Sequence, residues 1–245
     1  MDLLNQMQHH VSVRDFEATS LSDEVKTKLF QAAQSGSSSN FVQAFTILDI
    51  KDQLVRNELA EISQSAAYVK KSGGFFVFVA DLNRQAQILK ANHQSLAPLK
   101  NLESFLVATV DTTIAAQNMA LMAESMGLGI CYIGGIRNNL ARVAELLNLP
   151  ALTVPLFGMT IGIPTVKNEV KPRLPLNQFT AVDQYPRTGF TELKDYDQAV
   201  HQYYLHRSSH QKDTTWTQTQ ATFFAELRRP KVAQFVKKQG FELVK

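Results

Sequence analysis

Three groups that can bind an anion stand at alternate positions near the start of the chain: His10, Ser12 and Arg14, separated by Val11 and Val13. In an extended segment alternate side chains share a face. The three would then front one ligand while the valines turn to the core; in a helix they would fan out. Arg14 supplies a planar fork of donors, His10 a titratable ring and Ser12 a hydroxyl. Four further stretches carry comparable chemistry. Ser37, Ser38, Ser39 and Asn40 offer hydroxyls and free backbone N–H groups, and Phe41 a face for a planar ring or a pocket wall. Tyr132, Ile133, Gly134 and Gly135 end an apolar run in two glycines, which suits either a close backbone approach to a ligand or a tight turn. Lys171 and Arg173 flank Pro172, whose φ is fixed, and both could clamp a phosphate. Arg207 and Lys212 lie between a helix and Trp216, where cations suit a phosphate or a helix C-terminus. Taken singly, each stretch also has the composition of a solvated loop.

Other chemistries lack their patterns. No HExxH or CxxC occurs, so no metal centre is expected. Neither a GxSxG nucleophile turn nor a GxGxxG or Walker loop is present. The net charge of +3 is dispersed, without the basic run of a nucleic-acid binder. One cysteine, Cys131, excludes an internal disulfide. The start MDLLNQMQHH lacks a charged region followed by a long apolar stretch, so no signal peptide is expected. The apolar region from about 105 to 126 is broken by Asp111, Gln117, Asn118 and Glu124, and reads as a buried core helix rather than a membrane span. A cytoplasmic protein is expected.

These groups need elements to hold them. Ser22 is a plausible N-cap for a helix with Val25, Leu29, Phe30 and Ala33 on one side, ending in SGSSSN. Residues 44 to 50 have strand character, KDQLVRNELAEIS is an amphipathic helix, and 73 to 81 suits a central strand. The helix from about 103 to 126 is apolar on nearly all sides, which implies burial on nearly all sides. Strands are expected at 129 to 135 and 154 to 164, with a helix from Asn138 and Asn139 between them. A Pro-rich stretch from 165 to 189 leads to helices near 190 to 206, 215 to 228 and 230 to 238. This alternation is α/β or α+β with a small sheet among many helices.

In sequence order HHVSVRDF, SSSNFVQ, GGFFVFVADLNR, DTTIAAQNMALMAESMGLG, YIGGIRNN, VPLFGMTIGIP, KPRLP and YYLHR with KDTTW resemble the flavin-dependent nitroreductase superfamily. The likeness is to its NADPH-preferring, oxygen-insensitive nitroreductases and flavin reductases of the major bacterial type. It spans nearly the whole chain. It implies an α+β fold with a small, mixed, mainly antiparallel sheet flanked by helices. It implies a single domain over 1–245, an interlocked homodimer, and a helical excursion at about 176–238 that covers the partner or the active site. It also implies FMN at the subunit interface and NADPH, or NADH, as co-substrate. By the resemblance His10, Ser12, Lys171 and Arg173 bind the FMN phosphate and Arg14 reaches the pyrimidine side of the flavin. Ser37, Ser38, Ser39 and Asn40 come from the other subunit, Phe41 borders the substrate pocket, and Tyr132, Ile133, Gly134 and Gly135 pass the flavin near N5 and O4. Arg207 and Lys212 hold the 2′-phosphate of NADPH. No side-chain acid or base is needed, because bound FMN carries the chemistry. The implied activity is ping-pong reduction of nitroaromatics, quinones or flavins. The alternatives are a flavin carrier or sensor without efficient turnover, or a flavin reductase that supplies reduced FMN to a partner. Val11 stands where the family often has arginine, Asn40 where a fourth serine is common, Ala66 where a glutamine touches the flavin, and Lys212 where arginine is common.

Overall fold

The computed structural model of the chain describes residues 2–242. Asp2 accepts a hydrogen bond from the Asn5 N–H and opens α1 (Leu3–Gln8). Ser22 caps α2 (Asp23–Gln34) through the Val25 N–H. Then come β1 (Phe45–Asp49), α3 (Gln53–Ser63) with Asp52 as its cap, α4 (Ala66–Lys71), β2 (Gly74–Asp81) and α5 (Asn83–Ala91). They are followed by α6 (Leu102–Ser125), β3 (Gly129–Ile133), α7 (Leu140–Leu146) and β4 (Thr153–Gly162). Three helices complete the chain: α8 (Lys194–His206), α9 (Trp216–Phe224) and α10 (Val232–Lys238).

The sheet has the order β1-β2-β4-β3 and every ladder in it is antiparallel. Among the described residues the parallel pairings are isolated bridges, Ser12 to Ile130 and Asn101 to Glu242. The expected mixed character reduces to those. β2 is an interior strand buried on both faces, which explains its continuous apolar run. Its alternate residues divide between two cores. Phe76 and Phe78 pack with Leu29 of α2 and with Ala115, Ala116 and Met119 of α6. Phe75, Val77 and Val79 pack with Leu59 and Ala60 of α3, Val69 of α4 and Val143 of α7.

The opening segment lies against β3. Val13 donates its N–H to the Ile130 carbonyl at 2.8 Å. A Cβ at Gly129 would sit 2.5 Å from Val13 Cγ2, so only glycine lets the segment lie this close. Val13 is buried and Arg14 exposed, as the alternation requires, whereas Val11, expected in the core, is only half-buried, like His10 and Ser12.

α6 departs from its expectation. One face, with Ala108, Thr112, Ala115, Ala116, Met119 and Ala123, is buried. Leu102, Leu106 and Val110 are 44%, 48% and 54% exposed. Their spacing of four sets them in one stripe, so within the chain the helix is covered on one side only. By length and composition α6 could cross a membrane; its buried face belongs to the core around the sheet.

The chain forms two compact units, 1–168 with 229–245, and 169–228. The second unit closes before α10. The reason lies in α10: Phe235 and Val236 are buried with Leu140, Leu152 and Val154 in a third core of the first unit. The second unit contains α8 and α9.

Candidate functional site

In the first unit the opening segment supplies three candidates together. Burial pushes the Cys131 thiol of β3 up, while the Arg14 charge and the Ser12 hydroxyl act in the opposite direction. The backbone at Ser12 bridges to Ile130 of the same strand. The Ser12 carbonyl accepts the Asn168 side-chain amide at 2.9 Å, which fixes the segment on its other side. His10 Nδ1 is 2.5 Å from Glu124 Oε1 of α6.

The serine loop is built on Asp111. Ser38 Oγ donates to Asp111 Oδ2 at 2.7 Å and accepts the Gln43 N–H at 2.7 Å. The same carboxylate oxygen accepts the Ala44 N–H at 2.9 Å. Asp111 is 2% exposed. Ser38 was expected to contact a ligand, but its proton is already given to Asp111, which leaves it only a lone pair to offer. Ser37, Ser39 and Asn40 are exposed, and Phe41 is 80% exposed. Asn40, Phe41 and Gln43 have φ of 46°, 58° and 51°. A non-glycine residue held there costs about 1–3 kcal/mol and persists where surrounding structure enforces it, often at binding sites. The signal for Asp111 in the sequence was a carboxylate interrupting an apolar helix.

The glycine pair sits at the end of β3, where a 3-10 turn (Gly134–Asn139) begins. Ile133 was expected at the ligand, but its side chain is 2% exposed in the core, so only its backbone is available. A Cβ at Gly135 would lie 2.1 Å from the Ser63 carbonyl oxygen. The turn's packing on α3 therefore requires that glycine with or without a ligand. The Tyr132 hydroxyl donates to Gln117 Oε1 at 3.2 Å. Ala66 opens α4 and packs against the core around Val69. A cavity of about 650 Å³ adjoins this turn, with Arg137, Lys231 and Lys238 on an apolar base that includes Leu140, Val232 and Phe235. Arg137 donates to the Leu156 carbonyl. These cations were not singled out from sequence; Arg137 is inside the YIGGIRNN stretch, but the other two lie about a hundred residues on.

In the second unit Lys171 and Arg173 line a cavity of about 440 Å³ with Tyr196, Tyr203, Tyr204 and Trp216. The Lys171 ammonium is 5.8 Å from the Tyr204 ring centre, and the Arg207 guanidinium is 5.8 Å from the same ring. Lys212 donates its N–H to the Tyr204 carbonyl. Lys171 and Arg207, read separately in the sequence, thus meet around one tyrosine. Among the described residues none of Arg14, Lys171, Arg173, Arg207 and Lys212 has a carboxylate within ion-pair reach. Lys26 and Arg142, by contrast, pair with Asp49 and Glu58. His206 and His210 are four apart, but α8 ends at His206, so they do not share a helical face. No cluster of three metal-ligating side chains occurs among the described residues.

The sequence matches the nitroreductase family over residues 7–163, and that family's C-terminal domain over residues 171–244. The chain belongs to the nitroreductase family. Its relatives in that family include an FMN reductase (NADPH) of Bacillus subtilis, 37% identical over 241 residues, covering 95% of each chain. An oxygen-insensitive NADPH nitroreductase of Salmonella typhimurium is 37% identical over 232 residues, again covering 95% of each. The solved structure of an NADPH:FMN oxidoreductase from Vibrio harveyi, complexed with NAD+, superposes with a TM-score of 0.88 at 37% identity, covering 98% of both chains. The small antiparallel sheet flanked by helices is the nitroreductase fold.

Proposed function

We propose that the chain is an FMN-dependent NADPH oxidoreductase that reduces nitroaromatics, quinones or flavins. The relatives' activities support it. The observation that carries it is the seating of the opening segment on β3, through the Ser12–Ile130 bridge and the Val13 N–H, with Arg14 exposed and paired to no carboxylate among the described residues. The donor set fits FMN. A phosphate of nearly two negative charges calls for strong hydrogen-bond donors, which His10 and Ser12 can supply. A ring that gains negative charge at its pyrimidine edge calls for a fixed cation, and Arg14 provides it.

Bound FMN supplies the redox step, a hydride taken from NADPH and electrons passed to a second acceptor. The protein's part is positioning. The strained Ser37–Phe41 loop presents hydroxyls and an exposed ring for a planar acceptor. The backbone from Ile133 to Gly135 forms one wall, with the Tyr132 ring set edge-on against Phe157 behind it. Arg207 and Lys212 hold the 2′-phosphate of NADPH. The reading includes a cytoplasmic homodimer in which the serine loop serves the partner's FMN.

The purified protein should be yellow, with the absorbance of bound FMN, or should become so on titration of the apoprotein. NADPH should bleach it within milliseconds to seconds in stopped flow, and a nitroaromatic or quinone should restore the colour. A protein that takes up no FMN overturns the proposal. One that binds FMN but bleaches over many minutes is a carrier rather than an enzyme.

A further inference from the structure

We infer that Glu124 is a positioning residue for the FMN phosphate, acting through His10; the inference rests on the reading above in which His10 meets that phosphate. Gln117, Leu121 and Glu124 are spaced by four and three, which sets them on one face of α6. That face gathers the parts around the opening segment. Gln117 accepts the Tyr132 hydroxyl at 3.2 Å, the Leu121 carbonyl accepts the Gln6 amide at 2.9 Å, and Glu124 Oε1 meets His10 Nδ1 at 2.5 Å. Glu124 is 14% exposed and His10 30%. The carboxylate is thus largely sheltered while the ring keeps an open edge. A carboxylate oxygen only accepts, so the proton in this contact is on Nδ1. That assignment sets the tautomer and the plane of the ring. Nε2, on the far side of the ring, is left as the end that a ligand can meet.

The arrangement parallels the carboxylates that orient metal-binding histidines, whose removal weakens ligation 10- to 100-fold. Here the ligand is a phosphate. A ring that meets a carboxylate with Nδ1 and a phosphate with Nε2 bridges the two anions. Without Glu124 the ring is free to turn, and His10 loses its fixed donor.

The experiment compares FMN with riboflavin, which lacks the phosphate, by fluorescence titration of apoprotein. Glu124→Ala should weaken FMN about 10-fold and leave riboflavin unchanged. The isosteric Glu124→Gln, which can still accept from Nδ1–H, should fall between. His10→Gln should show the same selective loss, and the double variant should be no worse than His10→Gln alone. In nitrogen NMR of the ligand-free protein, the His10 ring should hold its proton on Nδ1 in the wild type and lose that preference in Glu124→Ala. Equal weakening of FMN and riboflavin by both Glu124 variants would reduce Glu124 to a structural tie and overturn the inference. A loss in His10→Gln with none in either Glu124 variant overturns it as well. Unchanged FMN affinity in His10→Gln removes His10 from the phosphate while leaving the FMN-binding reading intact.

Discussion

Arg207 is the C-cap residue that follows α8, and its guanidinium lies 5.9 Å from the Tyr203 ring and 5.8 Å from that of Tyr204. A planar cation braced on two rings gives up little further freedom on meeting a phosphate. Arg207→Ala is therefore expected to raise the KM for NADPH roughly 10- to 100-fold, the worth of a charge-assisted hydrogen bond of about 1.5–3 kcal/mol. The kcat should stay near wild type, since the contact is made equally before and during reaction. Parallel steady-state kinetics with NADH, which lacks the 2′-phosphate, should show little change. An unmoved NADPH KM would take Arg207 out of the site. Tyr132 offers a second single-residue test. Burial, with the Glu124 charge second, pushes its phenol up to about 12. An unfolded tyrosine ionises near pH ~10. A folded value above the unfolded one stabilises fully below the unfolded pKa, and the contribution is lost as pH rises toward the folded one. Tm should therefore fall above pH ~10, and fall less steeply in Tyr132→Phe. Calorimetry across that alkaline range checks this; identical slopes in the two proteins would assign the loss to other groups.

At the scale of elements, the join between the serine loop and α6 carries the largest expected stability effect. Asp111→Ala leaves the Ala44 N–H without its acceptor, and Ala44 is fully buried. An unsatisfied buried donor costs about 1–3 kcal/mol, and the Ser38 hydroxyl loses its partner in the same step. Urea denaturation should show a lower midpoint with an unchanged slope. A midpoint equal to wild type would mean that the loop is held by other contacts. This join also marks what the sequence could tell. β2 was legible because its continuous run of β-prone residues is a local fact, and the start of α2 because Ser22 and the Val25 N–H are three residues apart. The role of Ser38 was not, because its acceptor stands 73 residues away. Gly135 looked open to a ligand, and its nearest neighbour is the Ser63 carbonyl on another helix. α1 escaped notice because six residues are too few to signal a helix; a bond from Gln6 to the Leu121 carbonyl helps tie it down. In α6 composition reported apolarity correctly but not which side of the helix the chain itself would cover.

At the scale of the whole molecule, that uncovered side becomes evidence about assembly. Leu102, Leu106 and Val110 of α6 are exposed, and so are Leu3, Leu4 and Met7 of α1, which is tied to α6 through Gln6. Large exposed apolar patches are uncommon on monomers and mark interaction surfaces. The proposed homodimer gives this surface an occupant, a second copy meeting it about a two-fold axis. It also ties assembly to cofactor binding, since the serine loop is proposed to serve the partner's FMN. Sedimentation should therefore give twice the 27.4 kDa of the chain, and Tm should rise with protein concentration, as it does when folding and association are linked. Leu106→Glu places a charge in the middle of the stripe, on a side chain that the isolated chain does not bury, so it should spare the fold while splitting the dimer. The FMN should leave with the partner. Measuring mass and flavin absorbance in one sedimentation run separates the possibilities. A variant that stays dimeric puts the interface elsewhere than α6. A monomer that keeps its FMN means that each chain holds its cofactor without the partner's loop.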